Sequence, residues 1–196
     1  MSTHNEQPEV DYRTISVHSF RRYREVLTGH LARKYYLTVV EREVVDSKEF
    51  IGSFDGKHIT VKSRLSDEHK LFLLAHLFGH CVQWCGENSD KYADIDQSLP
   101  VNNADEASKE KLEALREYEA EAAGYAIQLL NESLDGDLSQ WFSDWSHADW
   151  DYFVNVTSFE GKPEIPVIDV KFGTELIPPK EILGISLREV GTKYAY

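Results

Sequence analysis

Two histidines with the spacing of a metal site, His76 and His80, lie in the apolar run LFLLAHLFGHCVQW, which extends from Leu71 to Trp84. Residues four apart on a helix project from the same face, one turn apart. Their imidazole nitrogens can therefore hold one Zn²⁺ and leave room for a third protein ligand and a water. The spacing alone is weak evidence, because histidines four apart are common on helices that bind no metal.

The residue after the first histidine decides which chemistry such a site performs. In the pattern H-E-x-x-H, zinc lowers the pKa of its bound water, and the glutamate takes the proton and passes it to the leaving amine. Positioned acid–base groups contribute about 10² to 10⁴ in rate. This chain has Leu77 at that position, and leucine has no titratable group. The sequence therefore predicts that metal binding is retained while the usual general base is missing.

A glutamate can complete a zinc site that two histidines begin, and several glutamates lie on an acidic helix downstream, in YEAEAAGYAIQLL, Tyr118 to Leu130. At about 100° per residue, Glu119 and Glu121 flank the apolar stripe of this helix on opposite sides at similar angles, and Glu117 points further out. Periodicity therefore leaves the choice between Glu119 and Glu121 open.

Composition places these motifs in a globular protein. The chain has 196 residues, 41% of them hydrophobic and 28% charged, which fits one ordinary domain. Its formal net charge of −13 argues against direct binding of nucleic acid, and no apolar run is long enough to span a membrane. The two cysteines, Cys81 and Cys85, lie four apart on a predicted helix, where disulfide geometry is rare. We therefore expect reduced thiols and a cytoplasmic location.

Hydrophobic periodicity and turn signals predict an α+β fold. The predicted elements are a helix from Ser16 to Tyr36, a strand from Leu37 to Val45, a hairpin at Asp55-Gly56, the histidine helix capped by Ser66, an acidic loop over residues 86–107, a helix from Ser108 to Asn131 and an aromatic helix after Trp141. We expect residues 1–14 to form a flexible tail and residues 15–160 a single domain with its core at 37–131. Residues 161–196 are expected to form extended segments packed on that domain.

The segment from Asp55 to Trp84 resembles the ImmA/IrrE family of zinc metallopeptidases. Members of that family have a small sheet followed by a stretch close to r-F-t-l-A-H-E-l-G-H-x-x-x-H. The run LFLLAHLFGHCVQW matches the Phe, Ala, first His, Gly and second His of that pattern. It departs from the pattern at Leu77, and at Trp84, where a histidine is frequent.

The downstream helix, Tyr118 to Leu130, is similar to the family's E-x-E-A-N-x-F-A-x-x-L-L helix, with Ala123 in place of the Asn. The resemblance implies a minimal zincin-like fold with an N-terminal helix and a small, three-stranded, mostly antiparallel sheet. That sheet would pack on the H-x-x-x-H helix and on a second, ligand-bearing helix. It also implies that His76, His80 and Glu121 are the zinc ligands.

Three functional hypotheses follow. The favoured one is a bacterial or phage pseudopeptidase that holds zinc and acts by binding a protein or peptide partner, such as a transcriptional regulator, alongside an edge of the sheet. The first alternative is an active zinc endopeptidase that cleaves a transcriptional repressor, with its base supplied by Glu119 or by the acidic loop from Asp90 to Asp96. The second alternative is a metal-free interaction domain. If only the base is missing, Leu77→Glu is expected to create zinc-dependent proteolysis.

Overall fold

Four α-helices and a small sheet form the part of the chain that the computed structural model describes, residues 14–45, 50–86, 89–92, 106–155 and 165–195. The elements are α1 (Val17–Lys34), β1 (Thr38–Arg42), β2 (Gly52–Phe54), β3 (His58–Lys62), α2 (Asp67–Cys85), a 3-10 turn (Ser89–Tyr92), α3 (Glu106–Ser133), α4 (Ser139–Asn155) and β4 (Lys193–Ala195). The predicted α+β class is confirmed. Residues 1–13 of the predicted tail and residues 93–105 of the predicted loop lie outside the described residues. No described helix combines the length and the apolar composition that crossing a bilayer requires.

The sheet is mixed, with the strand order β1-β3-β2-β4. β2 pairs antiparallel with both β3 and β4, whereas β1 pairs parallel with β3, with Val40 opposite Thr60. The prediction of three mostly antiparallel strands did not include the short β4, nor the parallel pairing of β1. Ser63 N–H donates to the carbonyl of Arg42, which extends the ladder between β1 and β3 beyond the strands. β1 therefore lies on the side of β3 that is opposite β2, although β2 follows β1 along the chain.

The hairpin between β2 and β3 turns at glycine. Asp55 N–H donates to the carbonyl of His58 at 3.3 Å, so Gly56 and Lys57 are the two central residues. Gly56 has a φ of +99°, which suits the first central position of a type II′ turn. The Asp55 carboxylate also accepts hydrogen bonds from the backbone N–H groups of Lys57 and His58. The predicted hairpin is confirmed, with its centre one residue later than Asp55-Gly56.

Helix α2 is the central element of the fold. The Ser66 hydroxyl accepts a hydrogen bond from His69 N–H at 3.1 Å, and the acidic Asp67 and Glu68 favour the helix N-terminus. Every residue from His69 to Cys85 except Trp84 is buried, because α1, α3 and the sheet surround the helix. A helix buried on all sides carries apolar residues around its whole circumference, as α2 does. Its two histidines are therefore held in a packed interior.

Gly79 brings α2 into backbone contact with α3. A Cβ atom at this position would lie 2.1 Å from the carbonyl oxygen of Ala122, far inside contact distance. Ala122 lies one turn after Glu119 on α3, and Gly79 directly precedes His80. The contact thus fixes the separation of the two helices at the level where their polar side chains meet.

We expect Gly79→Ala to lower the free energy of unfolding by about 1 to 3 kcal/mol, because the added methyl group must push α2 away from α3. The higher helix propensity of alanine, worth about 1 kcal/mol, does not offset such a clash. Urea denaturation measures the change. Gly191→Ala is the control, since nothing lies within 4 Å of a Cβ built there. Equal stability of the two variants would contradict the close helix contact.

The segment after residue 165 crosses α3 and α4 as an extended chain. Gly173 and Thr174 donate their backbone N–H groups to the carboxylate of Asp144 on α4. Lys180 N–H donates to the carbonyl of Gly124 on α3 at 2.9 Å. Between these anchors, residues 175–180 lie over the space between the two helices.

Candidate metal centre

Three ligand atoms come together where α2 faces α3. His76 Nε2 lies 3.2 Å from His80 Nε2. Glu119 Oε2 lies 3.3 Å from His80 Nε2 and 3.8 Å from His76 Nε2. Both histidines are buried, and Glu119 is half-buried. Two adjacent turns of α2 and one turn of α3 therefore present three donor atoms to a single point, where they could bind a metal ion.

The separations of these atoms fit a single ion. Zinc–ligand bonds of about 2.0 to 2.2 Å at tetrahedral angles place two ligand atoms about 3.3 Å apart. The observed range of 3.2 to 3.8 Å brackets that value. Two imidazoles and a carboxylate also suit other divalent metals, so the donor set defines a class of ions rather than one element.

A hydrogen-bond chain fixes the orientation of His80. Its Nδ1 lies 2.9 Å from Gln83 Oε1, and Gln83 Nε2 donates to the carbonyl of Tyr118 at 2.8 Å. Because the amide NH₂ of Gln83 is bonded to a carbonyl, Oε1 faces the imidazole and accepts its Nδ1 proton, which leaves Nε2 as the metal-facing nitrogen. The Tyr118 ring stacks on His80, and Phe72 stacks on His76. Gln83 was not predicted as a partner of His80, although its position three residues after His80 on one helix is a usable signal.

The electrostatics of the cluster favour the ligating protonation states of His76 and Glu119, whereas His80 must lose its proton to bind a metal. Burial lowers the pKa of His76 to about 4, and repulsion from His80 adds to this effect. Burial also lowers the pKa of His80, but the nearby Glu119 carboxylate outweighs it and raises that pKa above its usual value. The two histidines in turn hold the pKa of Glu119 below its ordinary range, although burial opposes the shift. An ionised carboxylate beside a neutral imidazole is the protonation state that a divalent cation requires.

The structure separates the two candidate glutamates. Positions 119 and 121 are about 200° apart around a helix, so only one of them can face α2. Glu121 instead accepts hydrogen bonds from the Tyr92 hydroxyl and from Lys91 Nζ, and forms an ion pair with Lys180. This differs from the expected ligand set, in which Glu121 joins the two histidines. Glu119 is the carboxylate that lies beside the two histidines, where it could act as a ligand rather than as a substitute base.

Leu77 lies in the hydrophobic core. Its side chain is 0% exposed and belongs to the buried apolar cluster of the protein. It is about 100° from His76 around the helix, and it is not among the described residues that line the space beside the histidines. The position of the usual general base is therefore surrounded by apolar packing.

A cavity of about 570 Å³ opens beside the ligand atoms. Helices α2, α3 and α4 form its walls, and residues 175–180 cover part of it. Its charged and polar lining includes Arg116, Glu119, His147, Asp149 and Lys180. The two histidines thus face a space large enough for a few residues of a peptide.

Asp149 brings a carboxylate into this cavity from α4. Burial raises the pKa of Asp149 to about 7, the charge of Glu119 raises it further, and His80 opposes the shift. Asp149 was not predicted from the sequence, because no spacing rule connects α4 to the histidine motif. The available signal was an acidic residue four positions after Trp145, which places both on the same face of the aromatic helix.

The remaining candidates have structural roles in the described part of the chain. Cys81 and Cys85 are free, buried thiols and do not join the ligand group. His147 lines the cavity, but its Nε2 donates to the backbone carbonyl of Glu175 at 3.0 Å. Trp141 is buried in the core.

Comparison with protein-family models, with curated proteins and with solved structures found no match to this chain. The resemblance to the ImmA/IrrE family therefore depends on the two motifs, and the site geometry stands independently of it.

Proposed function

We propose that this chain is a zinc-binding protein with an ImmA/IrrE-like, zincin-type fold, in which His76, His80 and Glu119 hold the ion. The observation that carries the proposal is the convergence of three ligand atoms at separations of 3.2 to 3.8 Å. Two histidines and one carboxylate with an open side are the ligand set of zinc hydrolases. The order of the motifs along the chain and the small sheet before α2 agree with the resemblance.

The proposed role of the cavity beside the metal centre is to receive an extended segment of a protein partner such as a transcriptional regulator. A bound zinc ion would supply a Lewis acid that polarises a carbonyl oxygen. The chain itself contributes a mixed lining, with the cationic Arg116 and Lys180 and the anionic Asp149 on different walls. Backbone groups and charged side chains of a peptide would both find partners there.

Two observations bear on whether the bound partner is also cleaved. Leu77, in the apolar core, favours a pseudopeptidase that binds its partner without hydrolysis. Asp149, in the cavity, favours an active hydrolase whose base comes from α4. The pseudopeptidase and the active hydrolase would use the same metal centre, so the zinc site is the part of the proposal to test first.

Protein purified without added metal is expected to contain about one zinc per chain by elemental analysis, and His76→Ala is expected to lose it. His147→Ala is the matched control, because His147 lines the same cavity without belonging to the ligand group. The same analysis reports iron and manganese, which the donor set also suits. Full zinc occupancy in His76→Ala, or another metal in the purified protein, would refute the proposed zinc site.

A further inference from the structure

Asp149 is a half-buried cavity carboxylate with no assigned task. It lies on α4, opposite the ligand helices, and lines the same space as His76, His80 and Glu119. The charges of Glu119 and His80 both act on its carboxyl group and shift its pKa in opposite directions. Among the described residues, none forms a hydrogen bond or an ion pair with it. A half-buried carboxylate without a partner, next to a metal-ligand group, is a functional-site signal rather than a packing feature.

The position of Asp149 separates it from the ligands themselves. The atoms of His76, His80 and Glu119 lie within 4.8 Å of one another, and the carboxylate of Asp149 does not belong to that group. In a four-coordinate site all ligand atoms lie about 3.3 Å apart. Asp149 is therefore not a member of the ligand group, but it lines the cavity into which that group opens.

We infer that Asp149 is the proton acceptor of this centre and performs, from α4, the acid–base role that Leu77 cannot perform. The inference rests on the proposed zinc site. In amide hydrolysis the water oxygen forms a bond to the carbonyl carbon, and one water proton moves to the Asp149 carboxylate. When the C–N bond breaks, that proton moves to the amine nitrogen. The products are a carboxylic acid and a free amine, and the Asp149 carboxylate is regenerated.

The test uses the zinc-loaded, full-length chain and acetohydroxamic acid, a small metal chelator that loses a proton when it binds. Titration calorimetry in two buffers of different ionisation enthalpy counts the protons released to solution. With Asp149 as acceptor, the unmodified chain releases much less than one proton, whereas Asp149→Asn releases about one. Loss of the charged acceptor is also expected to weaken binding about tenfold to a hundredfold.

One further measurement and two further variants make the outcome unambiguous. Zinc affinity of Asp149→Asn, from competition with a chromophoric chelator, should stay within about threefold of the unmodified chain, because an acceptor is not a ligand. Glu175→Gln, which removes a carboxylate from the cavity rim, should behave like the unmodified chain in every assay. Asp149→Ala checks that the change in proton release does not arise from the side-chain amide introduced in Asp149→Asn. Unchanged proton release and affinity in both variants, or loss of zinc from them, would overturn the inference. Absence of zinc from the unmodified chain would instead overturn the proposed function.

Discussion

Glu119→Gln is expected to abolish tight zinc binding, while Glu121→Gln is expected to leave it intact. Removing an outer-shell partner of a metal site costs about 10- to 100-fold in affinity, and removing one of only three protein ligands should cost more. Glu119 Oε2 lies 3.3 Å from His80 Nε2, within the range of a shared ion. Glu121 is directed toward Tyr92 and Lys91 and does not approach the histidines.

The two glutamate variants make a matched pair, because each replaces one carboxylate by its amide on the same helix, two residues apart. Competition with a chromophoric chelator gives both affinities, and far-UV circular dichroism checks that α3 is intact. Retention of zinc by Glu119→Gln together with its loss from Glu121→Gln would contradict the structure. That result would restore the ligand set expected from the family resemblance.

Leu77→Glu is expected to destabilise the protein by at least about 3 kcal/mol rather than to restore catalysis, because it places an unpaired carboxylate in the core. The Leu77 side chain is fully buried among apolar residues. Burial raises the pKa of such a carboxyl above its unfolded value of about 4.3. The carboxyl is then protonated and tolerated at low pH, so the deficit should shrink as pH falls toward 4.3 and grow as pH rises through the folded-state pKa.

Urea denaturation at several pH values measures this deficit. Leu77→Met is the control, since a swap that conserves volume usually costs less than about 1.5 kcal/mol. A stable Leu77→Glu protein with new zinc-dependent proteolysis would show that the side chain at position 77 reaches the cavity beside the metal centre. In that case the missing base would be the sole defect, and Asp149 would not be needed as a substitute.

The features that were predicted correctly from the sequence depend on local spacing along the chain. The i, i+4 spacing of His76 and His80 requires only a helix to place both side chains on one face, and α2 forms where its cap and periodicity predict. The Asp55-Gly56 hairpin signal is local in the same sense, and the structure bears it out. The absence of a base next to His76 also follows from one residue type, Leu77.

Tertiary structure decided which distant groups join the two histidines. Helical periodicity placed Glu119 and Glu121 symmetrically about the apolar stripe, so the choice between them depended on how α3 is rotated against α2. The contact of Gly79 with Ala122 sets the approach of these helices, and in that arrangement Glu119 faces the histidines. Asp149 reaches the same cavity from a helix that no spacing rule connects to the motif. The sequence by itself therefore determined that two imidazoles share a helix face without an adjacent base. Only the packing of three helices decided which carboxylates meet them, because the rotation of one helix against another depends on long-range contacts that local periodicity does not contain.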